Sequence, residues 1–188
     1  DLSTARASWP KVLDGLWLNL RVLVFASIGV LLFGLLLALL RTLRAPVFTP
    51  IRLLVRGYVD LFRGMPLIIV LYLVGFGIPG LRLEWLGRVP AEGLGTLALI
   101  LTYFAYVAEV FRAGIEAVHP SQRLAARSLG LTYAQSMRFV VLPQALRKVA
   151  PPLMNDFVSL QKDVGLISIL GAVDAVRSAQ IEVAHYAN

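Results

Sequence analysis

An all-α, polytopic membrane protein is the fold that this sequence predicts, and three observations predict it. Hydrophobic residues make up 58% of the 188-residue chain and charged residues 15%, with a mean hydropathy of +0.76, whereas soluble domains carry about a quarter charged residues. Uncharged runs long enough to cross a bilayer recur along the chain, the first from Val22 to Leu40. Basic residues collect in two clusters between those runs, as cytoplasmic loops do. The formal charge of +7 therefore reports topology rather than nucleic acid as a partner. With no cysteine in the chain, disulfides and thiolate sites are excluded.

The chain opens at Asp1 without a Met, so its numbering is expected to begin inside a longer protein, and no cleavable signal is visible before the first span. That span is expected over 16–40, where Val22 to Leu40 makes about 28 Å of helix. Gly29 and Gly34 leave room on it for a close helix neighbour. Arg41, Arg44, Arg52 and Arg56 follow without an acidic residue among them, and Pro46 and Pro50 interrupt the helix, which makes a cytoplasmic loop. A second span is expected over 51–79, with Arg63-Gly64-Met65-Pro66 inside it, where proline must loosen a turn and Arg63 must be buried or face water. The loop that follows carries Arg82 and Arg88 against Glu84 and Glu92, a balance suited to the external side. A third span over 94–118 brings Glu109 and Arg112 near its inner end, three residues apart and able to pair.

The stretch from Pro120 to Pro143 is polar and helix-forming between apolar runs. Ser121 can act as an N-cap, Gln122 to Leu129 favour helix, and Gly130 stands where a left-handed C-cap falls. Thr132 then opens a second helix with Gln135 three residues on, the spacing of a capping box. Arg112, Arg123, Arg127, Arg138, Arg147 and Lys148 form the second basic cluster around this cytoplasmic region, 119–148. A fourth span is expected over 151–172, opened by Pro151 and Pro152. It contains Asn155, Asp156, Lys162 and Asp163, and each charge costs about 2.5–3.5 kcal/mol at the bilayer centre unless it faces protein or water. Lys162 lies about 16 Å along the helix from Pro151, near the midplane, where transporters place binding sites. The tail from Val173 is polar and amphipathic and is expected outside.

Several chemistries find no residues. There is no Gly-Lys pair and hence no P-loop, so a pump built on this chain needs an outside motor. His119 and His185 are too few and too far apart for a metal site, and no nucleophile–base constellation or paired carboxylates stand out. AARSLGLTYAQSMRF has the rhythm of a DNA-binding helix-turn-helix, but 188 residues hold no soluble domain around it.

With the parts in this order, the chain resembles the membrane permease subunit of bacterial ATP-binding-cassette (ABC) importers, in the polar amino acid uptake family, with the type I importer fold. The residues that carry the resemblance are Ala125-Ala126-Arg127-Ser128-Leu129-Gly130 with Leu142-Pro143, similar to the family's coupling signature. Arg63-Gly64-Met65-Pro66-Leu67, Ala105-Tyr106-Val107-Ala108-Glu109 with Arg112-Ala113-Gly114-Ile115, and Leu160-Gln161-Lys162-Asp163 add to it. Two departures stand out: Leu124 occupies the place of the family's leading glutamate, and Val164-Gly165-Leu166 replaces the usual Thr-Ser-Leu.

The resemblance implies one permease domain over 1–188 with four spans, a fifth being expected beyond residue 188. It implies a multi-pass protein of the bacterial inner membrane, not itself catalytic. Its partners would be an identical or paralogous second permease, two ATP-binding subunits that hold the ATP and Mg, and an extracytoplasmic amino-acid-binding protein, with no cofactor, metal or nucleic acid on this chain. Lys162 and Asp163, with Arg63 and Glu109, are the candidate substrate-path residues. Arg123, Leu124, Ala125, Ala126, Arg127 and Gly130 are the candidate ATPase-coupling residues. A passive channel and a membrane-anchored helix-turn-helix regulator are the alternatives.

Overall fold

The computed structural model describes residues 2–42, 45–82 and 89–186. Among these there are helices and turns and no strand. Arg44, Glu84 and Arg88, named above for the loops that hold them, lie outside the described residues. Among the described residues, two helices are long and apolar enough to cross a membrane, and there are up to four spans if each of two bent pairs is counted as one.

Helix α1, Leu2–Thr42, is longer than the expected span because it continues through Pro10 toward the amino terminus. At 41 residues it is about 60 Å long. Its outer flank is exposed Leu, Ile and Phe, as lipid contact demands, while Val22, Ala26 and Val30 face inward. They pack on Leu99, Tyr103 and Val107 of α4, Ala91–Glu116, and this seam is the main core. Gly29 and Gly34 do leave room for that neighbour. A Cβ on Gly34 would stand 2.7 Å from Val107 Cγ1, and one on Gly29 would stand 2.6 Å from Ile100 Cδ1. Gly34→Leu is therefore expected to destabilise the membrane domain by about 1–3 kcal/mol through overpacking. Thermal unfolding followed by tryptophan fluorescence in detergent checks this, and Val107→Ala should restore part of the loss.

The expected second span is two helices. Helix α2, Thr49–Gly64, ends at Met65, whose backbone is extended at φ −90° and ψ 135°. Helix α3, Leu67–Gly80, leaves at 106° to it. A loosened turn was expected, and the chain instead breaks. Pro66 has no N–H to continue the ladder and forces the preceding residue out of the helical region. Tyr58 fastens α2 to α4 by stacking on Phe104, with centroids 4.8 Å apart and planes at 4°, and by donating its hydroxyl to the Leu101 carbonyl. Arg63, in the last turn of α2, is exposed.

After α4 come the short α5, Pro120–Ser128, and the long α6, Tyr133–Leu170, which includes a π turn at Met137–Val141 and a 3-10 stretch from Val164. Pro151 and Pro152 open no helix here. They lie inside the stretch Leu142–Asp163. The carbonyls left unpaired belong to Arg147 and Lys148, which are exposed, so water or lipid headgroups can satisfy them. Gly171, at φ +93°, ends α6, and α7, Ala175–Tyr186, turns away by 51°. Glu182 on α7 accepts hydrogen bonds from Lys11 Nζ at 2.7 Å and Ser8 Oγ at 3.0 Å, which ties the tail to the start of α1.

Candidate functional site

Two places bring together the residues that the sequence singles out. One is a recess of about 450 Å³ at the α2–α3 break, lined by Met65, Pro66, Leu67, Thr102, Tyr103, Tyr106, Asp156, Ser159, Lys162 and Asp163. The break supplies one wall, since only a discontinuous helix exposes backbone and side chains at that point. Helix α4 supplies the aromatic wall, and α6 the charged one. Tyr103 donates its hydroxyl to Asp163 Oδ2 at 2.6 Å, fixing that carboxylate. Lys162 is exposed and makes no hydrogen bond or ion pair among the described residues. Asp156 is half-buried, and its Oδ2 has no hydrogen-bond partner among the described residues. The hydroxyl of Thr102, 2% exposed, likewise finds no partner among the described residues. A buried polar atom without a partner costs about 1–3 kcal/mol, so these atoms are poised for a ligand or water.

Arg63 stands beside the recess rather than in its lining. Its guanidinium lies 5.7 Å from the centre of the Tyr106 ring, and Tyr106 donates to its carbonyl at 3.2 Å. Glu109 is not brought to the recess. It binds Arg41 Nη1 at 2.8 Å and is held by Arg112 Nε at 3.0 Å, at the end of α4 nearer α5. The expected pairing of Glu109 with Arg112 is present, and Arg41 joins it from α1. Sequence reasoning noted Asp156 only as a charge in a span. Asp156, Ser159 and Asp163 are spaced i, i+3, i+7, one helix face, and that periodicity was the signal available. Tyr103 and Thr102 gave no such signal, because their roles depend on α6 packing across α4. Val164, one of the two positions where hydroxyls are replaced, is buried in the main core and does not line the recess.

The other place is the hairpin formed by α5 and the start of α6. Pro120 occupies the first turn of α5, and the N-cap is His119, whose Nδ1 accepts the Ser121 N–H at 3.2 Å. Ser121, expected as the cap, is two positions too late, because Pro at N1 pushes the preceding residue, His119, into the extended conformation a cap requires. Gly130 takes φ +82°, the left-handed stop that was expected. The capping box is complete: Thr132 N donates to Gln135 Oε1 at 2.9 Å, and Gln135 N donates to Thr132 Oγ1 at 3.3 Å.

The six coupling candidates divide. Leu124 is 67% exposed, and Ala125, Arg127 and Gly130 are also exposed, next to Leu129 and Tyr133. Ala126 is 3% exposed and packs inward, so it holds the hairpin to its own chain. Arg123 donates to the Ile115 carbonyl at 3.0 Å and is half-buried. The outward surface is thus an apolar ridge beside Arg127, whose side chain makes no hydrogen bond or ion pair among the described residues.

Comparison with known proteins accords with this arrangement. The family model described as binding-protein-dependent transport system inner membrane component matches residues 30–184. The chain is 36% identical over 171 residues to the probable glutamine ABC transporter permease protein GlnM of Bacillus subtilis, covering 90% of this chain and 75% of that one. It is 33% identical over 180 residues to the arginine transport system permease protein ArtQ of the same organism, covering 95% and 79%. The glutamate/aspartate import permease protein GltK of Escherichia coli is 33% identical over 183 residues, covering 95% and 80%. A crystal structure of an amino acid ABC transporter with histidines superposes with a TM-score of 0.89 and 34% identity, over 100% of this chain and 85% of that one. These likenesses support neither a passive channel nor a helix-turn-helix regulator. Relatives of this kind are permease components that work with a separate ATPase and a binding protein and are not themselves catalytic. A family model over most of the chain, and relatives above 30% identity along nine-tenths of it, show that the chain belongs to the binding-protein-dependent transport system inner membrane components, as a permease subunit of an ABC importer in the inner membrane.

Proposed function

We propose that this chain forms half of the translocation path of an ATP-driven amino acid importer, with the recess at the α2–α3 break as the place where the substrate passes. The observation that carries this reading is the pairing of opposite charges on one wall, Lys162 beside Asp163 and Asp156. A zwitterion presents a carboxylate and an ammonium, and charge-assisted hydrogen bonds to both need one partner of each sign. Lys162 serves the carboxylate, and Asp163, oriented by Tyr103, serves the ammonium. Arg63 and Glu109 act on this path from outside the recess, Arg63 through Tyr106 and Glu109 through the ends of α1 and α4.

The other half of the path comes from an identical or paralogous permease. Two ATP-binding subunits, which hold the ATP and Mg, dock on the α5 hairpin, and an extracytoplasmic amino-acid-binding protein delivers the substrate. Leu124, in place of an acidic residue, makes the docking contact apolar. Mild-detergent purification of the full-length protein from its native operon, with mass spectrometry of what accompanies it, tests the assembly. One ATPase subunit per permease is expected. A folded permease recovered alone would count against the reading.

A further inference from the structure

A second recess, of about 700 Å³, opens where α1 ends, α2 begins and α4 meets the α5 hairpin. Arg41, Arg52, Arg56, Arg112 and Arg123 line it, with Glu116 as the acidic residue of the lining. Glu109, which engages Arg41 and Arg112, adds a second carboxylate nearby, so positive charge stays in excess by three. Arg56 is exposed and makes no hydrogen bond or ion pair among the described residues. Arg123 Nε is buried and has no hydrogen-bond partner among the described residues.

Position decides what such a recess can hold. Arg41 lies in the last turn of α1, a helix long and apolar enough to cross a membrane, and Arg52 and Arg56 fall in the first half of α2, one turn apart on one face. The charged mouth therefore sits where hydrocarbon gives way to headgroups. Leu39 and Leu53, both more than half exposed, extend the lining toward the lipid side. Arginines at a phosphate level over exposed leucines match one amphiphile, with the guanidinium forks suited to phosphate oxygens. Basic pockets between membrane helices on the cytoplasmic side hold the headgroups of anionic lipids.

We infer that this recess is a binding site for an anionic phospholipid of the cytoplasmic leaflet, whose phosphate meets Arg52 and Arg56 and whose acyl chains run along Leu39 and Leu53. The bound lipid bridges the α1–α2 junction and the α5 hairpin, since Arg123 lines the same recess.

The test uses the complete transporter, stripped in detergent and returned to nanodiscs of equal phosphatidylglycerol and phosphatidylcholine with matched acyl chains. Lipids retained after a second extraction are counted by native mass spectrometry. Wild type is expected to retain phosphatidylglycerol over phosphatidylcholine, and Arg52→Gln and Arg56→Gln should each lower that preference about fivefold. Arg56→Lys should keep most of it, and Arg147→Gln, on an exposed surface away from the recess, should leave it unchanged. Equal retention of the two lipids, or an Arg52→Gln/Arg56→Gln double variant that retains as wild type does, would overturn the inference. So would displacement of the retained lipid by millimolar inorganic phosphate, which would mark a site for a free anion.

Discussion

Asp163→Asn and Lys162→Ala are each expected to lower substrate-stimulated ATP hydrolysis by about 10- to 100-fold in the reconstituted transporter, the loss that follows from removing a charged hydrogen-bond partner worth about 1.5–3 kcal/mol. Hydrolysis without substrate should change far less. Tyr103 holds Asp163 Oδ2 at 2.6 Å, so Asp163 has a structural partner as well as a ligand to meet. A fall with Asp163→Asn alone could therefore come from loosening α4 against α6. Lys162 separates the two cases, because its side chain makes no hydrogen bond or ion pair among the described residues, so its removal breaks none there. Thermal stability should be unchanged in Lys162→Ala while stimulation is lost. Tyr103→Phe should raise the substrate concentration needed for half-stimulation several-fold and leave maximal turnover closer to wild type, as expected when a carboxylate is present but no longer aimed. Intact stimulation in both Lys162→Ala and Asp163→Asn would remove the recess from the path.

Gly130→Leu is expected to reduce substrate-stimulated hydrolysis by at least about tenfold, with Gly130→Ala clearly milder. Both variants carry the strain of a side chain at φ +82°, about 1–2 kcal/mol. Within this chain, a Cβ at that position meets nothing within 4 Å. The alanine Cβ therefore adds no clash of its own, and the gap between the two variants reads the closeness of what faces Gly130, which in the proposed assembly is the ATPase surface. Co-purification of the ATPase should fall with leucine and persist with alanine. Equal behaviour of the two variants would mean that Gly130 serves the turn alone.

Most of the fold was legible because its causes are local. Membrane insertion follows from composition and from uncharged runs such as Val22 to Leu40, and side preference follows from where arginines stand. The left-handed Gly130, the Thr132–Gln135 capping box and the Glu109–Arg112 pair are each set within a few residues, and each is present. The misreadings also have local origins. Ser121 has the chemistry of a cap, although proline at position 120 favours His119, and Pro151 with Pro152 suggest a helix start where the helix in fact continues past the exposed residues Arg147 and Lys148.

What the sequence by itself determined is an α-helical membrane protein with a capped, basic hairpin between spans, because apolar length, charge asymmetry and capping act over a single turn or a single span. Only the tertiary structure decided that the Pro66 break turns by 106° to open a recess, that Tyr103 reaches Asp163 sixty residues away, and that Arg41 joins the Glu109–Arg112 pair from α1. Those outcomes depend on which faces of α1, α4 and α6 pack together. Helix packing is settled by shape between distant segments, where Gly29 and Gly34 admit Ile100 and Val107, and no short window of sequence contains both sides of that fit.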